Sequence, residues 1–203
     1  MDKFLKGLKW FFQSFIWLFV LGLVIDIVSK LLIKNNLTEG DSIILIPHFL
    51  AITFSYNEAA AFGMGFSNPE INKWLYIVVA LIATAAILYF YIRKFKIYGK
   101  FLKACLMCIL VGAIGNLIDR IFYGKVVDFI DFFGIWHAIF NVADSFVVVG
   151  TIMLIIYLIV EEVKDYKARK AAEPKIEGKV LSKTEQEKLE RDQEETTDNS
   201  VEN

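Results

Sequence analysis

Four apolar runs dominate the first 160 positions, at about Trp10–Ile27, Trp74–Tyr91, Phe101–Ile118 and Ala138–Val160. A helix needs roughly 20 apolar residues to cross the hydrocarbon, with about 17 as the lower limit, and each run meets this. Length and apolarity make the assignment, because periodicity does not separate a buried helix from a spanning one. Lys3, Lys6 and Lys9 precede the first run as they would in a secretory signal. The run is long and no small-x-small cleavage site follows, so it reads as a retained helix. Between the first two runs, at about 39–73, the pattern changes. Ser42-Ile43-Ile44-Leu45-Ile46-Pro47 and Phe49-Leu50-Ala51-Ile52-Thr53-Phe54-Ser55-Tyr56 are rich in β-branched and aromatic residues and read as strands. After Val160 a polar helix continues until Pro174 and Gly178, and 183–203 has the composition of a disordered tail. The expected fold is an all-α membrane protein: four transmembrane helices, a small extracytoplasmic β-sheet and a polar C-terminal tail. Residues 1–160 form the four-span domain and 161–203 a cytoplasmic tail.

Composition sharpens this division. Apolar residues make up 56% of the chain and charged residues 22%. Residues 161–203 hold 13 acids and 9 bases, which leaves 1–160 with ten acids and thirteen bases. Two Cys exclude a disulfide scaffold. Neither sign dominates the folded part, which argues against a nucleic-acid partner. The basic clusters Lys3/Lys6/Lys9, Arg93/Lys94/Lys96/Lys100 and Lys164/Lys167/Arg169/Lys170 all fall on one side of a four-crossing chain. The positive-inside rule then makes both termini cytoplasmic and the 36–73 and 119–137 connections external.

The informative residues are the expensive ones. An Asp at the bilayer centre costs about 2.5–3.5 kcal/mol on insertion scales, so intramembrane acids call for a role. Asp26, Asp119, Asp128, Asp131 and Asp144 all lie toward the outer face in this topology. Asp26 and Lys30 share a helical face at i, i+4, as a neutralised anchor or as part of a site. Asn116, Asp119 and Arg120 read first as a polar clamp closing the third span, ahead of direct catalysis by Asp119. Asp128 sits among apolar residues in Val126-Val127-Asp128-Phe129-Ile130-Asp131, where burial raises a carboxyl pKa; Asp131 is the more solvated alternative. Asn141 and Asp144 repeat the i, i+3 spacing and suit either a helix N-cap or a site. Two acids in separate segments at one depth can share a proton, one acting as base toward water and the other polarising a carbonyl. Competing chemistries are poorly supplied. His48 and His137 are lone, without metal-ligand spacing. Cys105 and Cys108 lie inside the third span as packing residues, and neither metal nor cofactor is expected. A proton-coupled transporter component, with Asp26, Asp119, Asp128 and Asp144 as a relay, is the rival reading. A structural membrane subunit whose tail recruits a partner is a second.

Taken in order, Asn57-Glu58-Ala59-Ala60-Ala61-Phe62-Gly63, Gly115-Asn116-Leu117-Ile118-Asp119-Arg120, Val127-Asp128-Phe129 and Phe140-Asn141-Val142-Ala143-Asp144-Ser145 resemble the motifs of lipoprotein signal peptidase, signal peptidase II. The resemblance covers about residues 10–160. It implies an aspartic endopeptidase of the bacterial cytoplasmic membrane, active at its outer face. Such an enzyme removes the signal peptide of prolipoproteins before a diacylglyceryl-modified Cys. It further implies Asp128 and Asp144 as the catalytic pair, Asn116, Asp119, Arg120 and Asn141 as supporting residues, and Asn57 near the scissile bond. Asp26 and Lys30 fit the same pattern. The implied partners are the lipid-modified precursor, membrane lipids and globomycin-type cyclic peptides, with the enzyme a monomer. Ala59 departs from the family pattern, where Gly is usual.

Overall fold

A computed structural model describes residues 2–58, 68–136 and 138–172, together with 187 and 191. Helix α1 (Asp2–Ser14) ends at Phe15, whose left-handed backbone (φ 57) breaks it from α2 (Ile16–Asn36). Strands β1 (Ser42–Ile46) and β2 (Leu50–Asn57) follow, then α3 (Pro69–Arg93), α4 (Lys100–Tyr123), β3 (Val126–Asp131), β4 (Ile139–Phe140) and α5 (Val142–Ala172). Among the described residues, four helical stretches are long and apolar enough to cross a membrane: Ile16–Asn36, Glu70–Arg93, Lys100–Tyr123 and Val142–Lys170. The chain divides into two units, Met1–Val160 and Glu161–Asn203. Most of the tail, with its expected disorder, lies outside the described residues.

The first span is corrected. It runs over 16–36, and Trp10 belongs to α1. A hydropathy reading stops at the first charge, whereas Asp26 and Lys30 sit inside α2 as a buried ion pair. The third span likewise runs past Asp119 and Arg120 to Tyr123. Gly124 (φ 74) ends it, its N–H bonded to the Arg120 carbonyl; glycine reaches this left-handed backbone without steric cost. The clamp expected to close the span is therefore inside the helix. The fourth span starts at Val142 instead of 138, because 139–140 is strand. Asn68 caps α3 by accepting the Glu70 N–H at 2.9 Å, with Pro69 opening the helix.

Of the four spanning helices α4 is central: half of its spanning window is buried, against 17%, 17% and 11% for the others. Small residues bring α2 and α5 onto it. A Cβ on Gly112 would fall 2.3 Å from the Ala143 carbonyl oxygen, and one on Gly22 3.0 Å from the Val111 side chain of α4. Close backbone approach of this kind drives helix association in lipid.

Two strands were expected and, among the described residues, four are present, antiparallel in the order β1-β2-β3-β4. Phe54, Val127 and Phe129 pack with Ile33, Leu37 and Val142, seating the sheet over the end of α2 and the start of α5. Between Ile52 and Ser55 the register to β3 shifts, from Ile52↔Ile130 to Ser55↔Asp128. One extra residue on β2 makes this a bulge.

Candidate active site

The Gly124 turn reverses α4 directly into β3, so Asp119, Arg120 and Asp128 come together. Antiparallel pairing brings in Asn57, and the start of α5 brings Asn141 and Asp144. Asp128 is 2% exposed. Its Oδ2 accepts the Asn57 amide N–H at 2.9 Å and its Oδ1 accepts that of Asn141 at 2.7 Å. Asn141 is the N-cap of α5: its Oδ1 accepts the Asp144 backbone N–H (2.8 Å), while Asp144 Oδ2 accepts the Asn141 backbone N–H (3.1 Å). This is a capping box with Asp at N3. Cap and site, weighed as alternatives from the sequence, are the same pair of residues. Asn116 joins the acids: its amide N–H donates to Asp144 Oδ1 at 2.7 Å, and its Oδ1 accepts from Asn141 at 3.1 Å and from Lys30 Nζ at 3.2 Å. A continuous polar chain thus runs Asp128–Asn141–Asn116–Asp144.

Beneath it lies a buried ion triad. Lys30 Nζ is 2.9 Å from Asp26 Oδ2 and 3.1 Å from Asp119 Oδ2. Buried charges are tolerated only with good geometry and further hydrogen bonds. Both acids have them: Asp26 Oδ1 accepts the Ala143 N–H (2.8 Å) and Asp119 Oδ2 the Val127 N–H (3.1 Å). Asp26 thereby ties α2 to α5, and Asp119 ties α4 to β3. A Cβ on Gly115 would fall 2.6 Å from Asp26 Oδ2, so the Gly of Gly115-Asn116 makes room for this carboxylate. Arg120 bonds the Asn116 carbonyl at 3.4 Å, lies 5.4 Å from the Tyr76 ring centre, and its charge acts on Asp144 and Asp128. Tyr76, Gly115 and Ala143 were not singled out as site residues from the sequence; Gly115 and Ala143 had a signal, their places in the Gly-Asn-x-x-Asp-Arg and Asn-x-Ala-Asp motifs, and Tyr76 had none.

Burial, then the negative charge of Asp144, push the Asp128 carboxyl from 3.8 up to about 7, against the opposing pull of Asn57, Asn141 and Lys30. Asp144 and Asn116 are half-buried. The remaining candidates lie elsewhere. Asp131 is half-buried and accepts the Thr53 hydroxyl at 2.7 Å, so the sheet satisfies it. His48 sits in the β1–β2 turn with φ 59. A Cβ on Gly150 would be 2.9 Å from Cys108 Cβ and 3.0 Å from the Cys105 carbonyl oxygen, placing both cysteines at the α4–α5 contact. His137 and Ala59–Gly63 lie outside the described residues. The arrangement is that of two carboxylates held by separate but mutually bonded asparagine amides, one carboxyl able to carry a proton at neutral pH.

The family model described as signal peptidase (SPase) II matches residues 18–160. The chain belongs to this family. A lipoprotein signal peptidase of Clostridioides difficile is 41% identical over 151 residues, 74% of this chain and 97% of the relative. One from Staphylococcus aureus is 37% identical over 169 residues, 82% and 98%. A solved structure described as a bacterial membrane enzyme, determined by the in meso method, aligns with TM-score 0.66 at 36% identity, covering 72% of this chain and 88% of that one. This signal peptidase II family member is a multi-pass membrane protein and a peptidase of the aspartic class. The transporter reading finds no support in these matches.

Proposed function

We propose that the protein removes the signal peptide from diacylglyceryl-modified prolipoproteins, cutting before the lipidated Cys, with Asp128 and Asp144 as the catalytic pair. The observation that carries this is the amide chain linking the two carboxylates, with Asp128 buried and pushed up to about 7. In the reaction Asp144, half-buried, takes a proton from water as the oxygen attacks the scissile carbonyl, and Asp128 gives its proton to the carbonyl oxygen. As the diol collapses and the C–N bond breaks, Asp144 passes its proton to the departing Cys amine and Asp128 recovers its own from the hydroxyl. Asn57 and Asn141 orient Asp128, and Asn116 orients Asp144. Lys30 acts as a positioning residue. It holds Asn116 Oδ1, so the amide N–H is turned to Asp144, while Asp26 and Asp119 fix Lys30 in place.

The site lies at the outer face of the bacterial cytoplasmic membrane, with both termini cytoplasmic, and globomycin-type peptides occupy it. Cutting at that depth spares the lipid anchor from water, which would cost about 0.8 kcal/mol for each exposed CH₂. The test is processing of a lipid-modified precursor by purified protein in detergent. Asp128→Asn and Asp144→Asn each lower the rate by at least the roughly 10²–10⁴-fold typical of lost acid–base catalysis, with folding retained. Full processing by either variant overturns the assignment.

A further inference from the structure

The other end of the bundle holds a recess of about 410 Å³ in which Trp10 of α1 and Phe19 of α2 face Tyr91, Met107 and Ile114 of α3 and α4. Its walls are apolar. The Tyr91 hydroxyl turns no donor into it, because it donates to the Ser14 carbonyl oxygen. That bond and the left-handed Phe15 hold α1 against the bundle, and the Trp10 and Phe95 rings meet at 6.2 Å. Helix α1 carries exposed Lys6 and Lys9 beside exposed Leu5, Trp10 and Phe12. Basic and bulky apolar residues together mark a helix lying in a membrane interface.

The rim of the recess is one-signed. Arg93, Lys94, Lys96 and Lys100 are exposed at the turn between α3 and α4. Lys103 places its ammonium 3.7 Å from the ring centre of Phe95, which lines the recess. No Asp or Glu occurs in 3–25 or in 71–118, so within these stretches no acid stands against the cations; Asp2, Asp26 and Glu70 lie just beyond them. An apolar slot with a cationic mouth fits an amphiphile with a hydrocarbon tail and an anionic head. A signal-peptide segment fits badly, because its own leading region is positively charged.

We infer that this recess is a binding site for an acyl chain of an anionic phospholipid, its phosphate held by the Lys103, Lys94 and Lys96 rim. The site is independent of the peptidase chemistry, since none of these residues touches the carboxylates. Binding fastens α1 to the bundle at the membrane surface.

Trp10 reports occupancy directly. The full chain is reconstituted in vesicles containing phosphatidylglycerol or phosphatidylcholine with brominated acyl chains, each titrated into the same unbrominated background. Subtracting the Trp10→Phe signal removes the contribution of the other tryptophans. Quenching of Trp10 saturates at several-fold lower mole fraction of the anionic lipid than of the zwitterionic one. Each Lys near an anionic surface contributes about 1 kcal/mol, so Lys103→Gln lowers that preference about fivefold. Lys94→Gln/Lys96→Gln, on the exposed turn, removes two such charges and abolishes the preference without touching a buried residue. Equal quenching by the two lipids overturns the proposal. So does an unchanged preference in a folded Lys94→Gln/Lys96→Gln protein, or protection of Trp10 by a synthetic signal peptide, which would make the recess a substrate groove. Processing by Asp128→Asn or Asp144→Asn has no bearing on these readouts.

Discussion

Asp128 holds its proton over a range where an ordinary carboxylate has lost it, and two pH effects follow. With the folded carboxyl at about 7, the acid proposed for the scissile carbonyl is present below that pH and lost above it. Precursor processing therefore falls as pH rises through about 7, and a rate profile flat from 6 to 9 would remove Asp128 from the acid role. The same group affects stability. Its folded pKa is raised above the unfolded value of 3.8, so the folded state binds the extra proton between about 4 and 7. The stability it contributes is whole below 4 and lost as pH climbs to 7. Asp128→Asn removes this dependence, and thermal unfolding of the two proteins at pH 5 and pH 8 measures it. At this scale the sequence is most legible where a charge sits in an apolar run, as at Asp26, Asp128 and Asp144. The donors are less legible. Asn57 is 71 positions from Asp128, and only the sheet brings them together.

Among the elements, the helices were visible as apolar runs and the β1–β2 hairpin as β-branched runs. The boundaries were not. Asp26 and Lys30 look like an end in one dimension because the further partners that complete their bonding, Asp119, Asn116 and Ala143, come from other helices. Strand β4 is two residues long, too short to announce itself, and β3 carries Asp at two of its six positions, which breaks the apolar β-branched signal. The start of α5 shows how an element and a site are built from the same atoms, and two substitutions separate the roles. Asn141→Ala removes both the cap and the donor to Asp128, lowering stability by about 1 kcal/mol and ending processing. Asn141→Ser still caps the helix but is too short to donate to Asp128, so it unfolds nearer the wild-type temperature than Asn141→Ala while processing is lost. Wild-type processing by Asn141→Ser would show that the Asp128 contact is incidental.

On the scale of the whole molecule, the family match ends at residue 160 and every residue of the polar network falls before it. Removing residues 175–203 is expected to leave precursor processing within about twofold of the full chain, a change well under 1 kcal/mol. A larger loss would give the tail a part in the reaction. Topology and catalytic candidates were readable in order along the chain because lipid penalises charge so heavily. Their convergence was not readable, because it depends on three close approaches: Gly115 on Asp26, Gly112 on Ala143, and β2 on β3.

The supernumerary residue between Ile52 and Ser55 carries a further consequence. Side chains on a strand alternate from side to side, and one additional position shifts the phase of everything beyond it. Asn57 and Ser55 thereby share a side with Val126 and Asp128. Paired regularly from Ile52↔Ile130 onward, without the extra residue left over, Asn57 would fall opposite Lys125 and its amide would point to the reverse side of the ladder with the carboxylates untouched. The spacing of β2 is thus as much a determinant of what the site can hold as the chemistry of its side chains.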